Sequence, residues 1–249
     1  MISKHLLKLA PLLGNLPIIA PRGPLRALRW TLHPCTSYWR GMHEVDLVKM
    51  LRRRGPKPGD AVWDVGAHFG FYALWFARIT GIHGEVAAFE PNPHAFAKLR
   101  LHARLNQFPY LKIFPFACGN HDGRGEMIDA SGPVTTAHFR YHDEPDPSST
   151  LSVEQRRLES VQVKSSLRDP DWIKIDVEGF AGPVLEGSML ILTRAKPSLL
   201  IATHSQVEVS AIRTLLEPLL YDPFNHCGVS VAWNNLQEGK DYFFHRPSC

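Results

Sequence analysis

The chain has 249 residues, with 28 Lys/Arg against 24 Asp/Glu and an apolar share of 44%. This suits one sizeable folded domain and excludes a disordered or fibrous protein. Its four cysteines, Cys35, Cys118, Cys227 and Cys249, share no C-x-x-C spacing, so no zinc site or redox dithiol is expected and a reducing, cytoplasmic setting is favoured. Charge is uneven: residues 1–58 hold 11 Lys/Arg and 2 Asp/Glu, while residues 59–249 hold 17 and 22, so a front of +9 precedes a remainder of −5. Such a front suits a solvated arm or a peripheral contact with anionic membrane or glycan, because charge alone specifies no partner.

We expect a basic extension over residues 1–40 and a single domain over 41–249. The apolar stretch 6–20 is interrupted by Lys8, Pro11, Asn15 and Pro17 and is shorter than the roughly 20 residues a spanning helix needs. An interfacial amphipathic segment or one packed on the domain remains. The spacing of Met42, Val45, Leu47, Val48 and Leu51 predicts a helix over 39–54 that stops at the Gly/Pro cluster 55–59. Strands are then expected at 61–65, 84–90 and 111–118, with helices over 69–79 and 94–106 between them. A polar loop at 119–125 and a short strand at 125–130 follow. Residues 131–150 are polar, Pro-bearing and aperiodic, the best candidate for a lid.

Further on, 161–164 reads as a short edge strand and 171–177 as a buried one. A helix over 183–194, a strand at 198–204 and a helix over 207–219 come next. Strands at 221–227, 229–233 and 241–245 close the chain. Strands alternating with helices predict a three-layer α/β fold with a mostly parallel, Rossmann-like sheet, and the strand-rich tail predicts an antiparallel C-terminal hairpin.

The stretch that organises the rest is AVWDVGAHFGFYAL, residues 61–74. A buried strand carries Asp64 near its end, and Gly66 and Gly70 bracket a turn with His68 between them. Strand, glycine turn and helix in that order build nucleotide or nucleoside pockets at the carboxyl ends of strands in open α/β sheets. Glycine there admits the backbone to the ligand. The spacing is not G-x-G-x-x-G, which argues against a nicotinamide fingerprint. Glu90 stands 24 positions after Gly66, at the end of the next strand, where a carboxylate can accept both hydroxyls of an unphosphorylated ribose. Asp64, Gly66, His68, Gly70 and Glu90 are therefore read as cofactor-binding. Asn120 or Asp122, after the third strand, is a candidate for the adenine amine, although Asp122-Gly123 is equally a plain turn.

A second stretch is WIKIDVEGFAGPVLEG, residues 172–187. Asp176 and Glu178 are two apart at a strand's end and so face one side. Two carboxylates at the mouth of a sheet are costly unless they meet a cation, a donor or a substrate. Lys174 shares that face, so a structural ion pair is the competing reading.

Together, DVGAHFGFYAL, AFEPNPHAF, the A-C-G-N-x-D-G loop and IKIDVEGFAGPVLEG, in this order, resemble the FkbM family of S-adenosylmethionine (SAM)-dependent methyltransferases. The resemblance spans residues 41–204 and implies a class I methyltransferase fold acting on hydroxyls of sugars, glycans or secondary metabolites. It puts Asp64, Gly66 and Glu90 at cofactor positions and Asp176 and Glu178 on the D-V-E-G carboxylates. The chain departs in two places: Ser166-Leu167 stands where the family commonly has a T-L-D segment, and Ala202-Thr203-His204 where it often has Glu-x-His.

Methyl transfer from a sulfonium is an in-line displacement, so positioning dominates, and a hydroxyl acceptor gains from a general base, most often histidine. His204 is read as that base, with Asp176 or Glu178 orienting it or the acceptor. A divalent cation on the two carboxylates is the less favoured route, and no resident metal is expected. The expected partner is a small-molecule or glycan acceptor, not nucleic acid: the amino-methylating [DN]-P-P-[YF] motif is replaced by Asp176-Val177-Glu178-Gly179. A nucleic-acid methyltransferase and a SAM-binding module without catalysis are the rival readings.

Overall fold

The computed structural model describes residues 14–32, 36–128, 138–139 and 150–246. In chain order these give β1 (Pro17–Ile19), β2 (Arg29–Thr31), α1 (Thr36–Trp39), α2 (Val45–Arg54), β3 (Ala61–Val65), α3 (Phe71–Thr80), β4 (Glu85–Phe89), α4 (Pro93–Asn106), β5 (Leu111–Phe114), β6 (Ala117–Cys118), β7 (Gly123–Ile128), β8 (His138–Phe139) and β9 (Thr150–Arg156). Then come α5 (Leu158–Ser165), β10 (Trp172–Ile175), α6 (Ala181–Glu186), α7 (Met189–Arg194), β11 (Ser198–Thr203), α8 (Gln206–Leu216), β12 (Asp222–Asn225) and β13 (Lys240–His245).

Seven strands form the central sheet in the order β12-β13-β11-β10-β3-β4-β5. The five from β11 to β5 run parallel, while β13 is antiparallel to both β11 and β12. This is the expected three-layer Rossmann-like architecture with an antiparallel C-terminal hairpin. The chain leaves β3 for β4 on one side and later fills β10 on the other, so the strand order reverses between β3 and β10. Open α/β sheets bind ligands outside the carboxyl ends of strands at such a point.

Alternation along the strands splits the core between the two faces of the sheet. On β3, Val62 joins Leu51, Leu74, Phe76 and Trp30 on one face, and Trp63 and Val65 join Ile173, Leu185, Ile212 and Tyr221 on the other. The β1–β2 hairpin adds Leu25 and Trp30 to the first of these clusters. It is tied to α4 where the ring of Trp30 stacks on His102 at 3.6 Å and Thr31 Oγ1 lies 2.9 Å from His102 Nε2. No helix among the described residues is long and apolar enough to cross a membrane.

Several expectations change. The helix foreseen over 39–54 begins only at Val45, because the backbone turns left-handed at Gly41 and Glu44, and Trp39 instead ends the short α1. The strand foreseen at 111–118 breaks at Pro115, which has no N–H for the ladder. Residues 161–164 are not an edge strand but part of α5: Leu158 and Val161 are buried three residues apart, while Val163 is 80% exposed. The helix foreseen over 183–194 divides into α6 and α7, and at the division Ser188 Oγ donates to the carbonyls of Val184 and Leu185. Residues 229–233 form no strand, only a bridge from Ser230 to Phe224 and the start of a 3-10 turn at Trp233–Asn235.

Strand β9, not foreseen, joins a second sheet of order β6-β9-β7-β8. The lid expectation over 131–150 falls mostly outside the described residues, as does most of the apolar stretch 6–20.

Candidate active site

A cavity of about 280 Å³ opens at the carboxyl ends of β3, β4 and β10. Its walls come from the turn after β3 (Gly66, His68, Phe69), the end of β4 (Glu90), the end of β10 (Asp176, Glu178) and the segment before α2 (Tyr38, His43, Glu44). Ala117, Cys118 and Met127 from the second sheet close one side with Phe116 and Phe180.

Glu90 is 6% exposed. Its Oε2 accepts from the backbone N–H of His68 at 2.7 Å and its Oε1 from that of Asn92 at 2.8 Å. Burial pushes its pKa up to about 7, against the two N–H donors that favour the charge. A carboxylate has about four lone-pair positions, so after two backbone bonds it retains capacity for two more donors, which matches a ribose diol.

The glycines act on packing. A Cβ on Gly66 (φ 80°) would come within 1.8 Å of the Asp176 carbonyl oxygen, and one on Gly70 (φ 91°) within 2.6 Å of Leu99 on α4. The first lets the β3 turn close against the end of β10, and the second seats α3 on α4. Gly66 thus lets two strand ends meet and also lies on the cavity wall. His68 sits between them at φ 49°, stacked on Phe69 at 3.7 Å with its Nδ1 3.2 Å from the Tyr38 hydroxyl. Burial lowers its pKa to about 4.

Asp64 is fully buried and lies beneath the cavity, not on its wall. Its register partner on β10 is Lys174, whose Nζ is 3.6 Å from Asp64 Oδ1 and 3.3 Å from Asp176 Oδ2. Burial opposes the Lys174 charge, and Asp176 and Asp64 more than restore it, raising its pKa. Burial raises that of Asp64, whose oxygens have no hydrogen bond within 3.5 Å among the described residues. The ammonium also lies 4.9 Å from the centre of the Tyr72 ring.

Asp176, Glu178 and His204 come together as the spacing predicts. His204 Nε2 is 3.2 Å from Asp176 Oδ1 and Nδ1 is 3.1 Å from Glu178 Oε2. Burial opposes charge on His204, and its two carboxylate neighbours outweigh it, so its pKa is raised. For Asp176, burial is outweighed by Lys174 and His204, which hold the carboxyl well below the usual range. Both ring nitrogens of His204 are therefore engaged, and the ring sits outside the cavity lining. The three side chains offer ligand atoms within 4.8 Å of one another, a geometry that a cation can share.

Asn120 is exposed, with Nδ2 2.8 Å from Glu186 Oε2, and is not on the cavity wall. Asp122 accepts from the N–H of Arg157 at the start of α5, as a turn or cap residue does. The residues that sequence reasoning missed are Tyr38, His43 and Glu44. The signal available was Gly41, which together with His43-Glu44 ahead of an apolar-periodic run marks a turn and a helix start.

Residues 64–228 match the methyltransferase FkbM domain, more than half of the chain. The chain therefore belongs to the FkbM family of SAM-dependent methyltransferases. It is 26% identical over 198 residues to the hexuronic acid methyltransferase AglP of Haloferax volcanii, covering 76% of each chain. It is also 26% identical over 153 residues to the 2-O-methyltransferase NoeI of Sinorhizobium fredii, covering 56% of this chain and 62% of that one. Among solved structures, an FkbM methyltransferase from Methylobacillus flagellatus matches 75% of this chain with a TM-score of 0.49 and 16% identity. This chain spans 43% of that protein's length.

SAM, when bound, supplies a methyl carbon made electrophilic by a sulfonium. The residues present fit it: Glu90 keeps acceptor capacity for a diol, Phe69, Phe116, Met127 and Phe180 give an apolar wall, and Glu44 and Asp176, whose carboxyls are held below their ordinary values, favour a cationic ligand.

Proposed function

We propose that this FkbM-family methyltransferase moves a methyl group from SAM to a hydroxyl of a sugar or glycan. The observation that carries the reading is that one cavity joins Glu90, poised for a ribose at the end of β4, to Asp176 and Glu178 after β10, on the far side of β3. Asp64, Gly66, His68 and Gly70 serve the donor side indirectly. Gly66 and Gly70 set the turn, His68 offers its backbone N–H to Glu90, and Asp64 anchors Lys174 beneath the floor. Asp176 and Glu178, held by His204, accept hydrogen bonds from the acceptor or the donor's amino group. A sugar acceptor is supported by the hexuronic acid and 2-O activities that the two relatives' names state. Asn120, facing away from the cavity, is left outside the proposed site.

A divalent cation on Asp176, Glu178 and His204 is a second reading, favoured by the 4.8 Å grouping of their ligand atoms. One experiment addresses both. Label transfer from methyl-labelled SAM is measured with a panel of neutral hexoses, hexuronic acids and their glycosides, with and without a chelator, and products are located by NMR. A methyl ether on a ring hydroxyl is the expected result. SAM binding with no sugar labelled would contradict the substrate class. Chelator-sensitive turnover restored by magnesium or manganese would select the metal route, and full turnover in chelator with no metal in the protein would exclude it.

A further inference from the structure

A second histidine–carboxylate pair, outside every motif named above, lies on the cavity wall itself. His43 Nε2 lies 3.0 Å from Glu44 Oε1, and the other oxygen of that carboxylate, Oε2, accepts from the hydroxyl of Tyr72, a buried residue of α3. The imidazole is clasped by Tyr38, with ring centroids 4.4 Å apart, and by the edge of Phe71 at 4.8 Å. Both His43 and Glu44 line the cavity. We infer that His43 is the general base for the acceptor hydroxyl, with Glu44 as the residue that positions it.

Four observations carry this. A carboxylate on Nε2 fixes the tautomer with the proton on that nitrogen, which leaves Nδ1 as the lone-pair atom. Among the described residues no side chain or backbone group is bonded to Nδ1. Glu44 is itself over-determined: it is bonded through both oxygens while its backbone is held left-handed at φ 42°. Of the eight described non-glycine residues with positive φ, four (Gln107, Ser166, Lys196 and Leu220) follow helix ends and Ala27 lies in the β1–β2 turn, leaving Glu44, His68 and Glu178. All three line this cavity, and strained backbone kept in place by its surroundings gathers at functional sites.

The other histidines are less suited. His204 has both nitrogens on carboxylates. Burial makes His68 a weak proton acceptor, and its Nδ1 meets Tyr38. His94 is exposed and has only an edge contact with Phe69.

This inference rests on the sugar-hydroxyl reading above. In the step, His43 Nδ1 takes the hydroxyl proton as the acceptor oxygen bonds to the methyl carbon and sulfur keeps the electron pair of the broken carbon–sulfur bond. Glu44 stabilises the imidazolium, which then releases its proton to solvent. The titratable groups near the ring are Glu44 on its own segment and His68 on the β3 turn, which burial keeps neutral, while Lys174 on β10 and Asp241 on β13 act on Glu44.

The test has two arms on the full chain. In the first, diethylpyrocarbonate labelling is mapped by mass spectrometry with and without S-adenosylhomocysteine, and needs no acceptor. His43 is expected to label faster than His204 and to be protected by the nucleoside, whereas labelling of His204 ahead of His43 would overturn the proposal. In the second, His43→Gln, which can keep the bond to Glu44, is assayed on any sugar that the panel identifies. Its kcat should fall about 100- to 1,000-fold with SAM affinity within about threefold, and added imidazole should restore part of the rate. Glu44→Gln should lose about tenfold or more and shift the acidic limb of the pH profile. A His43→Gln protein with undiminished kcat would overturn the assignment. If wild-type protein labels no sugar, the substrate reading fails, and the carbethoxylation arm still decides on His43.

Discussion

Glu90→Ala is expected to weaken SAM binding by about two orders of magnitude while the protein stays folded, measured by isothermal titration calorimetry. The size follows from losing two hydrogen bonds to a charged acceptor, each worth about 1.5–3 kcal/mol, offset in part by water entering the space. The N–H groups of His68 and Asn92, which now meet Glu90, would also lose their partner and loosen the turn. Unchanged affinity would remove Glu90 from the donor site.

The same carboxyl makes the affinity depend on pH. In the folded protein it keeps its proton up to about pH 7, against an ordinary value of 4.5. Hydroxyl donors favour the ionised form, so SAM binding releases a proton and tightens as pH rises from 6 to 8. Folding stability has the opposite sign. The folded state holds this proton where the unfolded chain has released it, so the contribution is full below pH 4.5 and is lost as pH climbs through 7. Glu90→Gln should flatten both trends.

Lys174→Met is expected to cost about 3–5 kcal/mol of stability, because removing one partner of a buried ion cluster leaves the others uncompensated. Asp64, with 0% exposure, would lose its nearest cation, and Asp176 would keep only His204. For a chain of this size that is a drop in melting temperature of roughly 10 °C. The double variant Asp64→Leu/Lys174→Met should recover the share due to Asp64, since apolar replacement of a buried pair is often neutral, and leave the share due to Asp176, which keeps only His204. A single variant that melts with the wild type would show that Lys174 is not the counter-ion of the floor.

The parts of this molecule legible in its sequence are those fixed by short-range pattern. The run at 61–65, uniformly buried between two parallel neighbours, announced β3 without alternation, and Glu90 was found by its distance from the glycine turn. Asp176 and Glu178 were paired by strand periodicity, and His204 by its place at the end of the next parallel strand. What failed was local ambiguity. Val161 and Val163 alternate like a strand, yet the i, i+3 pair Leu158 and Val161 decided for a helix once it met a sheet.

The wall carrying Tyr38, His43 and Glu44 was illegible for a different reason. It precedes the first motif, has no periodicity of its own, and reaches the cavity only because Gly41 and Glu44 turn left-handed before α2. Lys174 was visible as a neighbour of Asp176, but its second partner, Asp64, lies 110 positions away in sequence and meets it only through strand register.

The most direct test is a crystal structure of the protein with S-adenosylhomocysteine. The ribose hydroxyls should lie within hydrogen-bond distance of the Glu90 carboxylate, with the sulfur turned toward the part of the cavity walled by His43, Asp176 and Glu178. Density for the nucleoside away from Glu90, or a sulfur facing away from both His43 and Asp176, would contradict the assignment of donor and acceptor ends to this one cavity.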